Sequence, residues 1–183
     1  MHRRVFLTAM AAALGIGQAH GAESVIDDFS GQPETRWKFY TDAVMGGVST
    51  GALEMIRGSR GGRARMTGEV STAHQGGFLQ MRRALGAAPD AATQGVWLEV
   101  RGNGAEYFVH LHTRQMVFPW QYYQARFESE GRWRRLRLPF AAFHPSGRML
   151  RATPRPQDLI SVALVAYGRD YSADVELRAI GFY

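Results

Sequence analysis

Cysteine is absent from this 183-residue chain. That excludes a disulfide scaffold, a thiolate nucleophile and a lipidated-cysteine anchor, and it leaves the redox compartment open. Lysine is nearly absent: Lys38 is the only one, and the other fixed cations are arginines. Such a bias follows codon composition as readily as function. No apolar run reaches the roughly 20 residues that a membrane-spanning helix needs. No window repeats its apolar residues at the helical period over three turns, so long amphipathic helices are not expected either. At 45% apolar and 21% charged residues, the remainder reads as one globular domain with a single good core.

What is present begins with a targeting segment. Arg3-Arg4 precedes the apolar run Val5 to Ile16, and Ala19-His20-Gly21 offers small residues where a signal peptide is cut. Arg3-Arg4-Val5-Phe6-Leu7 resembles a twin-arginine export motif, with a general secretory signal as the other route. A mitochondrial transit peptide competes, because the segment is free of acids; its contiguous apolar block argues for export to a periplasm instead. Removing residues 1–21 takes away two arginines and no acids, so the +6 net charge becomes +4 in the expected domain, residues 22–183. A modest positive charge favours acidic partners or an anionic membrane face.

Short alternating segments punctuated by Gly, Pro and Asn recur along the rest of the chain, the pattern of an all-β sandwich or barrel. Strands are expected near 24–29, 36–40, 51–57, 62–71, 77–83, 94–101, 105–114, 122–128, 132–138, 160–167 and 173–182. Pro156 to Ile160 suits a short helical turn, Arg57 to Arg63 a hairpin tip, and residues 144–157 a Pro-, Gly- and Arg-rich loop. Asn103-Gly104 is a strong two-residue turn signal. Counting outward predicts a hairpin pairing Arg101 with Glu106, Val100 with Tyr107, Leu98 with Val109 and Val96 with Leu111. That register gives Val96, Leu98, Val100, Tyr107, Val109 and Leu111 one core face, and puts Trp97, Glu99, Phe108, His110 and His112 outside.

Two glycine pairs stand out. Trp37-Lys38-Phe39-Tyr40-Thr41-Asp42-Ala43-Val44-Met45-Gly46-Gly47-Val48-Ser49-Thr50-Gly51 holds aromatics, a carboxylate, a Met and a Ser around Gly46-Gly47, and Gly76-Gly77-Phe78 follows, with Arg82 beyond it. Glycine permits positive φ and close backbone approach, while Trp and Met supply apolar anchors. The two segments read as paired loops around a shared spot, either a binding site or two tightly packed corners. Asp42 is expected to accept hydrogen bonds from the Gly46 and Gly47 amides.

These segments resemble the complex I intermediate-associated protein 30 family, through Asp42-x-Val44-Met45-Gly46-Gly47-x-Ser49-x-Gly51 and Gly76-Gly77-Phe78-x-x-x-Arg82. The likeness continues through Val100-Arg101-Gly102-Asn103-Gly104, Tyr107, Tyr123, Phe127, Trp133, Leu138-Pro139-Phe140 and Phe143. The resemblance implies a galactose-binding-like β jelly roll, and founding members that assist assembly of respiratory complex I. It implies no catalytic residues and no cofactor.

Individual residues add little catalytic signal. Gly47-Val48-Ser49-Thr50-Gly51 matches the nucleophile-elbow spacing, but a strand follows where that turn requires a helix. Ser49 is expected to bond within its own loop. His110-x-His112 has a metal-ligand spacing, but no third ligand is apparent and solvent-facing imidazoles are expected. Asp27-Asp28, and Asp42 with Glu69, are candidate acid pairs that nothing in the sequence brings together. Trp133, Arg135 and Arg137 share one strand face, where the Trp can stack an arginine. Trp97, Phe108 and Trp120 are candidate exposed aromatics for a sugar ring or a protein interface. The expectation is a non-catalytic module that binds a protein partner, with a membrane-complex subunit as the candidate, or alternatively a glycan. Nucleic acid is a poor partner for an exported protein. The candidate contact residues are Trp37, Asp42, Met45, Gly46, Gly47, Ser49, Gly76, Gly77, Phe78, Arg82, Trp97 and Trp120.

Overall fold

The computed structural model describes residues 23–58 and 61–183; the expected export signal, residues 1–21, lies outside them. The strands in chain order are β1 (Ser24–Asp27), β2 (Trp37–Thr41), β3 (Thr50–Ile56), β4 (Arg63–Val70), β5 (Phe78–Ala84), β6 (Gly95–Gly102), β7 (Glu106–Thr113), β8 (Tyr123–Glu128), β9 (Arg134–Pro139), β10 (His144–Pro145), β11 (Leu159–Tyr167) and β12 (Tyr171–Phe182). Every segment expected from alternation is a strand. β10 adds a two-residue pairing with β8 inside the expected 144–157 loop. Pro156–Asp158 forms the short helical turn.

The strands build two antiparallel sheets, β3-β4-β12-β6-β9 with β1 added to β12, and β10-β8-β7-β11-β5-β2. Packed face to face they make a β-sandwich of jelly-roll type. Its core lies between the sheets, with Met66, Val96, Leu98, Leu177 and Ile180 from the first meeting Leu79, Met81, Tyr107, Val109, Leu111 and Leu164 from the second. Each such apolar side chain stabilises the fold by roughly 1.5–3 kcal/mol relative to exposure.

The expected Asn103-Gly104 hairpin is not formed. β6 lies in the first sheet between β12 and β9, and β7 lies in the second between β11 and β8. The turn is a corner that carries the chain from one sheet to the other. Asn103 is held by β12, donating its backbone N–H to Asp174 O at 3.1 Å and its side-chain amide to Ser172 O at 2.8 Å. The Tyr107 hydroxyl donates to Asn103 Oδ1 and accepts from the Asp174 N–H. Arg101 therefore pairs with Glu176, and Glu106 with Arg126. The six residues assigned to the core face are nevertheless all buried, because they face one another across the sandwich.

Candidate functional site

The paired glycine loops do share a spot, and it is the carboxylate of Asp42. Residues Asp42–Met45 form a single 3₁₀ turn ended by Gly46 at φ +88°. The Asp42 side chain, fully buried, accepts from Ser49 N–H at 2.9 Å, Ser49 Oγ at 2.5 Å and Gly77 N–H at 2.5 Å. The expected donors, Gly46 and Gly47, bond instead to backbone oxygens of Ala43 and Asp42. Burial alone raises the Asp42 pKa, but the hydrogen bonds from Ser49, Gly77 and Phe78 outweigh it and hold the group below the usual carboxylate range. Within each glycine pair the two residues do different jobs. Gly46 and Gly77 take positive φ, whereas a Cβ on Gly47 or Gly76 would overlap the Asp42 carboxyl group. Ser49 Oγ also receives the Ser71 N–H at 3.0 Å, so its hydroxyl is committed to loop structure.

The outer face of the first sheet is closed. Trp97, expected outside, is 3% exposed. The Arg135 guanidinium lies over its ring at 4.0 Å and its indole N–H donates to Phe182 O at 3.1 Å. Trp133 lies between Arg101 and Arg178, and Tyr183 beneath Arg137. Glu23, Glu99 and Glu176 pair with these arginines. Trp37 is likewise buried, donating to Asp27 at 2.9 Å and stacking on Phe29. Neither tryptophan is available to a ligand.

The outer face of the second sheet is open. A groove of about 660 Å³ crosses it. Its floor comes from Tyr40 of β2, Phe78, Gln80 and Arg82 of β5, Val165 and Tyr167 of β11, and His110 and His112 of β7. The loop before β8 supplies Trp120 and Tyr122 to one wall, and the Asp42 loop supplies Val44 and Met45 to another. Asp42 thus acts at one remove, fixing the loops that carry Met45 and Gly76 to the rim. Trp120 is 66% exposed and stacks in parallel on Phe118 at 4.9 Å. Tyr122 stacks on His110 at 4.0 Å, and Tyr167 meets both rings edge-on.

His110 is buried and His112 half-buried, against the expectation of solvent-facing imidazoles. Burial first, and the neighbouring His112 second, depress the His110 pKa to about 3. Burial and then Arg82 depress that of His112 to about 4, and Ser161 Oγ sits 3.1 Å from its Nδ1. Both rings are neutral near pH 7. Among the described residues no group of three or more His, Asp or Glu could hold a metal ion, and no helix there is long and apolar enough to cross a membrane.

Of the residues singled out in the sequence, Met45, Gly76, Phe78, Arg82 and Trp120 line the groove. Asp42, Gly46, Gly47, Ser49 and Gly77 build its loops, and Trp37 and Trp97 belong elsewhere. Tyr40, Gln80, Val165 and Tyr167 were not among the candidate contacts. Alternation marks Tyr40, Gln80, Val165 and Tyr167 as the outward residues of their strands, but it cannot tell an open face from a covered one.

The sequence signature of complex I intermediate-associated protein 30 (CIA30) matches residues 28–175. The chain belongs to that family. No curated protein sequence matches it. Its fold is similar to that of the family 11 carbohydrate-binding module of cellulosomal cellulase Lic26A-Cel5E of Clostridium thermocellum, at TM-score 0.71 and 15% identity, over 88% of this chain and 94% of that one. The family 11 module from Clostridium thermocellum solved with a beta-1,3-1,4-mixed-linked tetrasaccharide gives TM-score 0.70 and 14% identity, over 87% and 94% of the two chains. A family 30 carbohydrate-binding module of Clostridium thermocellum cellulase Cel9D-Cel44B gives 0.54 and 9%, over 75% and 90%. At these identities the likeness is one of fold.

Proposed function

We propose that this family member is a non-catalytic binding module whose second-sheet groove holds an extended glycan chain. The observation that carries this reading is the groove: open, about 660 Å³, and lined by aromatic rings interleaved with amide, guanidinium and imidazole groups. Sugar rings present apolar faces and hydroxyl edges, and flat aromatics beside fixed polar groups match both. Among the described residues, the outer face of the first sheet is covered by arginine–carboxylate pairs over its aromatic rings. The shared fold with modules that include one solved with a bound tetrasaccharide is consistent with it. Ser49, the one serine in an elbow-like spacing, is held by Asp42 and Ser71, which fits a binding rather than a hydrolytic role.

Titration calorimetry against soluble oligosaccharides tests the assignment. Trp120→Ala removes an exposed ring without touching the core and should weaken glycan binding roughly ten-fold or more. Unchanged affinity in a folded Trp120→Ala protein would place the site elsewhere.

A second reading is a protein partner, bound during assembly of a membrane complex. Family membership favours it, as does the apolar rim: Val44, Met45 and Val117 are 69%, 65% and 74% exposed. Export to a periplasm would set the compartment for either. Recovery of a stoichiometric partner from solubilised membranes, lost on Met45→Asp, would establish this reading instead.

A further inference from the structure

We propose that the groove selects a carboxylate-bearing glycan, a uronate-type sugar whose acid group is seated by Arg82. The inference rests on the glycan reading of the same groove and names the class of sugar.

Elsewhere on the sandwich, an arginine over a tryptophan comes with a carboxylate, while Arg169, over Tyr171 at 4.2 Å and outside the groove, has none among the described residues. Arg135, Arg101 and Arg178 each cover a tryptophan and each pair with Glu99, Glu23 or Glu176. Arg83, adjacent to Arg82 but on the opposite face of β5, pairs with Asp27. Arg82 differs. Its guanidinium lies 5.2 Å from the Tyr40 ring centroid, and no described carboxylate lies within ion-pair reach. The groove lining contains this one arginine and not a single Asp or Glu. Lys38, exposed on the edge strand β2, stands beside Arg82 in register and adds a second cation. His110 and His112 are neutral, so the charge of the groove itself rests on Arg82, with Lys38 beside it; Glu128 and the Arg126–Glu106 pair lie further along the same face.

Arg82 sits in a row that crosses the sheet. Gln124, His110, Ala163, Arg82 and Lys38 are successive register partners on β8, β7, β11, β5 and β2. Ala163, at the centre of the row, is fully buried, so the row is closed between His110 and Arg82. At the other end of the row, His110 is buried beneath Tyr122, with the Gln124 side chain as its hydrogen-bond neighbour. The row is therefore open at its Arg82 end, where the guanidinium meets the groove beside Tyr40, Phe78 and Gln80. A pyranose ring bearing a carboxylate matches that end of the groove: acid on the guanidinium fork, ring against the aromatic side chains of Tyr40 and Phe78, hydroxyls toward Gln80. Arginine presents paired N–H donors that fit a carboxylate in two-pronged fashion.

The test is binding by the domain to two sets of oligosaccharides at low and moderate salt. The acidic set is oligogalacturonate, oligoalginate and hyaluronan fragments; the neutral set is cello-, mixed-linkage gluco- and xylo-oligosaccharides. Binding should concentrate in the acidic set and weaken as salt rises. Arg82→Gln should weaken it roughly ten-fold or more, Arg82→Lys should restore part of it, and methyl-esterifying the best acidic ligand should reproduce the Gln phenotype. Thermal melts confirm that each variant is folded. Binding confined to neutral sugars and indifferent to Arg82→Gln overturns the acidic inference while leaving the glycan groove standing. No binding to either set by the folded domain overturns both, as does membrane-protein capture abolished by Trp120→Ala.

Discussion

Asp42 shows how one side chain can decide the shape of a surface it never reaches. It is fully buried, yet the loops carrying Met45 and Gly76 to the groove rim are tied to its two oxygens. Removing the carboxylate strands the buried Ser49 and Gly77 N–H groups, and an unsatisfied buried donor costs about 1–3 kcal/mol. Asp42→Ala should therefore lower stability by about 3 kcal/mol in chemical denaturation and loosen both loops, and Asp42→Asn should fall between it and the parent. A loss below about 1 kcal/mol for the alanine variant would show that water replaces the lost acceptor. The sequence displayed the components of this hub, Asp42, Ser49 and the glycine pairs. It did not display the wiring, because Gly77 N–H is 35 residues from Asp42 along the chain. Local turn chemistry suggested Gly46 and Gly47 as donors, and a long-range contact won.

At the level of strands, alternation and pairing carry separate information. Val96, Leu98 and Val100 must be buried whichever strand lies beside them, so the core face of β6 was legible from period alone. Its neighbours were not. Asn103-Gly104 suits a hairpin turn and a sheet-to-sheet corner alike, and its bonds to Ser172 and Asp174 on β12 decide for the corner. The same limit applies to Trp97, which alternation puts outside the core while Arg135 and Glu23 cover it. Trp97 thus belongs to a closed surface rather than a recognition site. Trp97→Ala should cost about 3 kcal/mol of stability through lost packing and leave groove binding unchanged. A selective loss of ligand affinity at unchanged stability would reverse that assignment.

Over the whole molecule, the two faces of the sandwich treat charge in opposite ways. The first sheet is sheathed in arginine–carboxylate pairs, whereas the second holds His110 and His112 in a groove with aromatic walls. The groups facing His110 are Tyr122, Tyr167, Phe108, Gln124 and His112; a hydrogen bond with Gln124 favours the imidazolium, but burial and then His112 outweigh it. Folding therefore lowers the proton affinity of both histidines, to about 3 and about 4. Below the unfolded-state histidine pKa of about 6.5, the unfolded chain binds protons that the native protein refuses, so stability falls as pH falls. For His110 the loss between pH 7 and pH 5 is about 2 kcal/mol, and His112 acts in the same direction. Denaturant titrations at those two pH values should show the slope, and His110→Gln should remove about half of it whatever it does to stability at pH 7. Identical slopes in parent and variant would mean that His110 accepts a proton within the fold. The groove would then gain a further cation on acidification, and affinity for an acidic ligand would rise rather than follow the stability of the domain downward.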